Sequence, residues 1–403
     1  MIKPEPPQLN HDPRSPMPDT PSARAGRLLS QPSGYRAFSP RPLPPDPPLA
    51  IGGELLTQLS AADRDLARLD AIAHLLPNPD LFVAMYVRQE AVLSSQIEGT
   101  QSTLEDVLAF EAEGAGPNQR PKDVEEVVNH VRAMNHGLRR LTELPLSLRL
   151  IREVHAELMQ GVRGGERSPG EFRNSQNWIG AAGCTLRTAA FVPPPPHELM
   201  DHLGALENSL HAARSELPLL VRCALVHAQF ETIHPFLDGN GRVGRLLVTL
   251  MLCDEQALAR PLLYLSVYLK ANRAEYYDRL TAIRQRGHWE QWVLFFLRGV
   301  SEAAQLATRT ARAIVALRDA HRNSYAGSAR TLKLIDVLFE QPMVSVRRVE
   351  KIADCANDTA SRLVRKLVDD GLLHEVTGKG RNRLFEYAPY LALFRDEARE
   401  PAP

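Results

Sequence analysis

The chain has 403 residues, 44% hydrophobic and 24% charged, which is ordinary for a protein that buries a core and long enough for two or three domains. Lysine plus arginine equals aspartate plus glutamate at 48 each, so no global charge draws it to nucleic acid or membrane. Cys184, Cys223, Cys253 and Cys355 form no Cys-x-x-Cys pair, the N-terminus lacks the basic start and apolar run of a signal peptide, and no stretch of about 18 apolar residues is present; reduced thiols, no membrane span and a cytoplasmic location are expected.

Fourteen of the first fifty residues are proline, which fixes φ and lacks an amide donor. Residues 1–35 are therefore expected to be a disordered tail. Apolar residues among the prolines from Phe38 to Ile51 predict an extended run along the core. From Glu54 the pattern turns helical. Phe82, Met85, Tyr86, Val92, Leu93 and Ile97 recur at helical spacing, with Gly99 as the stop. Val124, Val127, Val128, Val131, Met134, Leu138 and Leu141 mark a second amphipathic helix opened near Pro121, and Leu148 to Met159 a third. Glycine and proline dominate 161–196, where Asn177 to Ile179 and Thr185 to Val192 read as the two short strands of a hairpin. Leu217 to Ile233 and Val243 to Leu258 are long helical patterns on either side of a glycine-bearing loop, and further helices run to about residue 320.

The last block differs. Leu332, Ile335, Leu338 and Phe339 predict one helix, and Val346 to Ala353 a second. A third, over Thr359 to Asp370, is capped by Asn357 and buries Leu363, Val364 and Leu367. Leu372 to Val376, a turn at 377–380 and Arg383 to Tyr387 then make a two-stranded hairpin. Three helices followed by a hairpin is the order of a winged helix-turn-helix. The expected fold is mainly α, with an N-terminal helical segment over 36–120, a helical core over 121–320 carrying a short β-hairpin flap, and a winged helix over 330–390.

The loop reads His234-Pro235-Phe236-Leu237-Asp238-Gly239-Asn240-Gly241-Arg242-Val243-Gly244-Arg245. Gly239 and Gly241 lack a Cβ, so backbone amides there can converge on an anion at a helix N-terminus. Arg242 and Arg245 offer guanidinium forks to phosphate oxygens, and Asn240 can donate an amide without adding charge. Asp238 is a hard oxygen ligand, and Mg2+ favours one or two carboxylates plus substrate phosphates. His234, one loop from this cradle, is a candidate general base for an incoming hydroxyl. The candidate nucleotide-binding run is thus Asp238, Gly239, Asn240, Gly241, Arg242, Val243, Gly244 and Arg245, with Asp238 as the metal ligand.

The loop resembles the signature of the Fic family, His-Pro-Phe-x-Asp/Glu-Gly-Asn-Gly-Arg-x-x-Arg, with no position missing, and the resemblance covers roughly residues 36–390. It implies a Fic-type helical core and transfer of AMP from ATP, with Mg2+, to a Tyr, Ser or Thr hydroxyl of a target protein or of the chain itself. It places His234 as base, Asp238 on magnesium, Asn240 and the glycine amides near the α-phosphate, and Arg242 and Arg245 on the distal phosphates. It makes Phe236 the anchor of the loop and 171–196 the flap that holds the target. It also sets Tyr276 and Tyr277 beside the adenine. Ser94-Ser95-Gln96-Ile97-Glu98-Gly99 is similar to the family's inhibitory pattern Ser/Thr-x-x-x-Glu-Gly/Asn. Ser94 and Glu98 are four apart and share a helix face, and Glu98 is expected to take Arg245 in a bidentate pair that restrains the enzyme. Glu98 can also orient a water for removal of AMP.

Several choices stay open on the residues alone. Arg362, Arg365, Lys366, Lys379, Arg381 and Arg383 suit DNA phosphates, yet Asp369, Asp370, Glu375 and Glu386 dilute them, and protein docking or a homodimer fits as well. A nucleotide-sensing regulator without turnover, or an enzyme with another nucleotide donor, stands as the alternative to AMP transfer.

Overall fold

The computed structural model describes residues 20–75, 79–113, 122–162, 168–181, 183–211, 217–378 and 381–397. The chain is mainly α. Strands β1 (Gly26–Ser30) and β2 (Arg36–Pro40) precede helices α1 (Gly53–Leu75), α2 (Pro79–Ile97), α3 (Leu104–Glu113), α4 (Lys122–Arg140), α5 (Leu148–Leu158) and α6 (Leu199–His211). The centre is α7 (Leu219–Ile233) and α8 (Asn240–Asp254), followed by α9 (Ser266–Ala271), α10 (Arg273–Arg286) and the 36-residue α11 (Trp289–Ser324). The C-terminal block holds α12 (Ala329–Leu338), β3 (Met343–Ser345), α13 (Val346–Ala353), α14 (Asn357–Asp369), β4 (Leu373–Glu375), β5 (Leu384–Tyr387) and α15 (Ala388–Glu397).

The hydrophobic pattern explains the layering. From Leu220 to Ile233 every residue of α7 is buried, and α8 is nearly so. A helix apolar on all sides belongs inside a bundle, and α7 and α8 pack on each other with α4, α5, α6, α10 and α11 around them. The α2 stripe is buried as predicted at Met85, Tyr86, Val92, Leu93 and Ile97. The helix stops where Gly99 takes φ 101°. Ser147 caps α5 by accepting the Leu150 N–H. Pro121, the Phe82 side chain, residues 1–19 and Lys379-Gly380 lie outside the described residues. No helix among those described is long and apolar enough to cross a membrane, and the four cysteines are free thiols.

Four expectations need correction. The stretch before residue 36 is not all tail, because β1 pairs antiparallel with β2, Gly26 opposite Pro40 and Ser30 opposite Arg36. Between residues 22 and 39 the only proline is Pro32, which sits in the turn, so the ladder keeps its donors. The flap, by contrast, is no two-stranded hairpin. Among the described residues a single bridge, Ile179 to Phe191, forms there, exchanging N–H···O bonds of 2.8 and 3.0 Å, while Thr185 to Thr188 closes into its own turn. The β1–β2 pair packs there instead, through Phe38 N–H to Val192 O at 2.8 Å and the Phe38 and Phe191 rings at 5.8 Å. Asn357 does not cap α14; the cap position is Ala356, and the Asn357 amide donates to Glu350.

Finally, the C-terminal block has three strands in the order β3-β5-β4 and an added helix, α15. The three-residue β3 is too short to read locally, and its pairing with β5 spans about forty positions of chain. Helix α15 seats the block on the rest. Arg395 donates to Glu105 on α3 and Glu386 on β5, and the Phe394 ring lies 5.8 Å from that of Tyr86 on α2.

Candidate functional site

The site is the turn between α7 and α8. Helix α7 ends at His234, whose backbone is left-handed at φ 50°, and its N–H closes on Phe230 O at 2.9 Å. Phe236 is fully buried and lies face to face on His155 of α5, ring centres 3.7 Å apart and planes 7° from parallel. His155 Nδ1 accepts the Gly170 N–H at 2.8 Å, so its proton is on Nε2, which donates to Asp238 O at 3.1 Å. Burial pushes this imidazole down to about 4, which keeps it neutral and the tautomer fixed. The anchoring role expected of Phe236 thus has a physical partner that sequence reasoning missed. A signal existed: His155 shares the buried face of α5 with Ile151, Val154 and Leu158.

Asn240 opens α8 and faces inward, not toward a ligand. Its Oδ1 accepts the Phe236 N–H and its Nδ2 donates to Phe236 O, both at 2.8 Å. Both ends of the side chain thus fold the loop back, one Nδ2 hydrogen remains beyond these bonds, and the backbone amide stands at the start of the helix. Gly239 is left-handed at φ 76° and a Cβ there would lie 2.8 Å from Met159 Sδ. Gly241 matters for another reason. A Cβ on it would fall 2.2 Å from Glu98 Oε1, so the carboxylate of Glu98 rests against the N-terminal turn of α8. An anion belongs there.

Both arginines carry carboxylates. Arg245 donates from Nε to Ser94 Oγ at 2.7 Å and from Nη2 to Ser94 O at 2.9 Å and Glu98 Oε1 at 2.7 Å. The predicted bidentate pair is therefore a split fork: one nitrogen serves Glu98 and the rest of the guanidinium serves Ser94. Burial alone would raise the Glu98 carboxyl, but Arg245, with Arg242 behind it, holds it below its ordinary value. Arg242 pairs with Glu126 on α4 at 3.3 Å, with Asp238 Oδ1 3.8 Å away. The Asp238 carboxylate is about a third exposed and its Oδ1 accepts the Gly239 N–H at 2.7 Å. No group of three or more His, Cys, Asp or Glu among the described residues forms a metal cage. One partly open carboxylate at the cradle's mouth is the donor set that suits a magnesium arriving with nucleotide phosphates.

His234 Nδ1 is buried without a hydrogen-bond partner. Burial pushes this imidazole down to about 3, and the Arg284 and Arg173 guanidiniums act in the same direction. Arg284 donates to Thr232 Oγ1 at 3.2 Å and Glu231 O at 3.0 Å, while Arg173 Nε donates to His234 O at 3.0 Å. Cations on the last carbonyls of a helix are favourably placed. They also keep the imidazole unprotonated. Val243 is core and Gly244 packs against Glu231.

The tyrosine pair divides. Tyr276 is buried in the floor under α8, its hydroxyl 2.9 Å from His227 Nε2, while His227 Nδ1 donates to Gly244 O at 3.0 Å. It cannot lie against an adenine without unpacking, so that expectation is corrected. Tyr277 is half-buried, with Arg273 5.6 Å over its ring.

A helical bundle whose central turn sets a neutral histidine beside a glycine-lined helix start and two paired arginines defines the class: a Fic-motif protein. Residues 145–252 of the chain match the Fic/DOC family and residues 56–139 the Fic/DOC family N-terminal domain. It is 33% identical over 136 residues to a protein adenylyltransferase Fic of Culex quinquefasciatus, covering 34% of this chain and 24% of that one. It is 37% identical over 70 residues to a probable protein adenylyltransferase of Aquifex aeolicus (strain VF5), covering 17% and 22%. The chain thus spans about a quarter of the length of these relatives. A Fic family protein from Desulfovibrio desulfuricans G20 has a similar fold, with a TM-score of 0.54 at 19% identity over 84% of this chain and 97% of that one.

Proposed function

We propose that the protein is a nucleotidyltransferase that moves AMP from ATP to a Tyr, Ser or Thr hydroxyl of a protein, itself included, under restraint by Glu98. The carrying observation is the contact of the Glu98 carboxylate with Arg245 and with the start of α8, where an anionic ligand would otherwise rest. In this reading the triphosphate, with its Mg2+ on Asp238, takes the amides of Gly239 to Gly241 and the two guanidiniums. The target oxygen attacks the α-phosphorus and its proton passes to His234. The bond from that phosphorus to the bridging oxygen breaks, and pyrophosphate leaves. The cradle stabilises the transferring group as charge builds. With Glu98 on Arg245, the distal phosphates lose one of their two guanidiniums and the α-phosphorus is not set in line. The same carboxylate, once displaced, can orient a water for removal of AMP.

Intact mass spectrometry of the wild type and Glu98→Gly after incubation with Mg-ATP tests this. The expected result is one adenylate per modified hydroxyl, more in the variant. Equal labelling of the two sinks the restraint, and no adduct with any common nucleoside triphosphate sinks the transfer.

A second role, as a winged helix touching DNA, is favoured by the exposed Arg362, Arg365 and Lys366 on α14 and Arg381 and Arg383 beside β5. A gel shift with random-sequence duplex at low salt checks it. Binding unchanged by charge reversal of Arg362 and Arg365 argues for protein docking there instead.

A further inference from the structure

A histidine in left-handed backbone is uncommon and persists only where its surroundings impose it. At His234 two side chains do so, both from the segment leading into the Ile179 bridge. Arg173 Nε and Asn177 Nδ2 donate to His234 O at 3.0 and 3.1 Å. Arg173 also takes Ile233 O through Nη2 at 3.3 Å and Pro235 O through its backbone N–H at 2.9 Å, and Asn177 Nδ2 takes Phe236 O at 2.9 Å. All four carbonyls from Ile233 to Phe236 are therefore held by these two residues. Arg173 is itself tied to Ser175 O at 3.2 Å and Pro194 O at 2.6 Å. The chain of contacts runs on, because Phe236 O also accepts from Asn240 Nδ2. The backbone that carries the imidazole is thus fixed to the first residue of α8.

Asn177 pays a cost that stability alone does not explain: its Oδ1 is buried with no partner. What the residue contributes is its amine end and the two carbonyls it grips.

We propose that Arg173 and Asn177 are positioning residues of the transfer reaction, a latch that fixes the left-handed turn at His234 and so holds the base in register with the amides of the cradle. This rests on the reading of His234 as the base. The charged groups around His234 are Arg173 from the latch segment, Arg284 from α10 and Glu98 from the turn after α2, while Glu231 on α7 acts on it through its backbone carbonyl. Asn177 adds no charge to that set, so replacing it changes position and not field.

The test compares Asn177→Ala, Asn177→Gln, Arg173→Lys and Arg173→Gln in the Glu98→Gly background. Calorimetric ATP binding reports that each variant is folded. Asn177→Ala is expected to lower kcat for self-modification by at least about tenfold with KM for ATP within about twofold, since small misplacements of a catalytic group cost rate rather than binding. Asn177→Gln should recover part of the loss, and Arg173→Lys should retain more activity than Arg173→Gln. A second readout needs no turnover: the rate and pH midpoint of His234 modification by diethylpyrocarbonate. Asn177→Ala should change the rate and leave the midpoint, whereas Arg173→Gln should move the midpoint upward. An unchanged kcat in Asn177→Ala, or kcat and KM shifting together with loss of binding, overturns the latch. If the Glu98→Gly parent transfers no AMP, the functional reading fails on its own. An unaltered modification rate in Asn177→Ala would then overturn the latch separately.

Discussion

Arg242 and Arg245 stand less than one turn apart on α8, and both end on a carboxylate, yet the pairs are built differently. Arg242 meets Glu126 at 3.3 Å with side chains 5% and 3% exposed. Arg245 meets Glu98 at 2.7 Å, but the exposures are 2% and 35%. Glu126 sits within α4 under the core, whereas Glu98 lies past the end of α2 in the turn at Gly99. Opening the first pair strands two charges in low dielectric. Opening the second leaves Arg245 on Ser94 and returns a half-wetted carboxylate to water. On the proposed reading the shorter contact is the releasable one, because its acceptor is the less buried of the two.

The comparison can be broken or sharpened at several points. The largest effect belongs to the base that a released Arg245 would serve. His234→Ala in the Glu98→Gly background should cut transfer by roughly 10²–10⁴ while ATP still binds, measured with α-labelled nucleotide. Next comes the buried pair. Glu126→Ala leaves Arg242 with the more distant Asp238 carboxylate alone and should cost up to roughly 3–5 kcal/mol, read as a lower urea midpoint; a loss under about 1 kcal/mol would show that Asp238 or solvent compensates Arg242. Glu98→Gly should instead leave the midpoint nearly unchanged and raise self-modification by roughly tenfold or more, the worth of one charged hydrogen bond. Ser94→Ala should raise it only a few-fold, because Glu98 keeps its hold. The smallest effect is that of pH. His234 is depressed to about 3, so it stays neutral as pH falls and would be lost as a base only on approaching that value. Transfer by Glu98→Gly should change less than about twofold between pH ~5.5 and ~8, where a histidine at its ordinary value near 6.5 would lose about tenfold. A midpoint near 6.5 would mean that water reaches the ring.

The parts legible in the chain were contiguous. Twelve adjacent residues carried the turn, and Ser94 and Glu98, four apart at a helix end, carried the grip on Arg245. The α2, α4 and α7 patterns gave helices because their apolar spacing is local. What stayed hidden was pairing across distance: Glu126 for Arg242, the His155 face against Phe236, the Arg173 and Asn177 hold on the loop. Asn240 shows the limit of residue type. Its type suits a phosphate and a backbone equally, and only the fold shows that both ends of its side chain go to Phe236. Likewise the β1–β2 ladder hid behind proline content, since a count over fifty residues does not reveal that Pro32 sits in the turn and Pro40 at the last position of β2.

Because α7 stops at His234 and α8 starts at Asn240, one short turn joins the negative end of one helix dipole to the positive end of the next. Two guanidiniums have settled at the first end and a carboxylate at the second. Backbone polarity favours cations at the carbonyls beneath the imidazole and an anion at the amides that open α8, where Arg242 and Arg245 add to the attraction. The carboxylate of Glu98 therefore meets both the helix start and the guanidiniums at one end of this turn, and neither at the other.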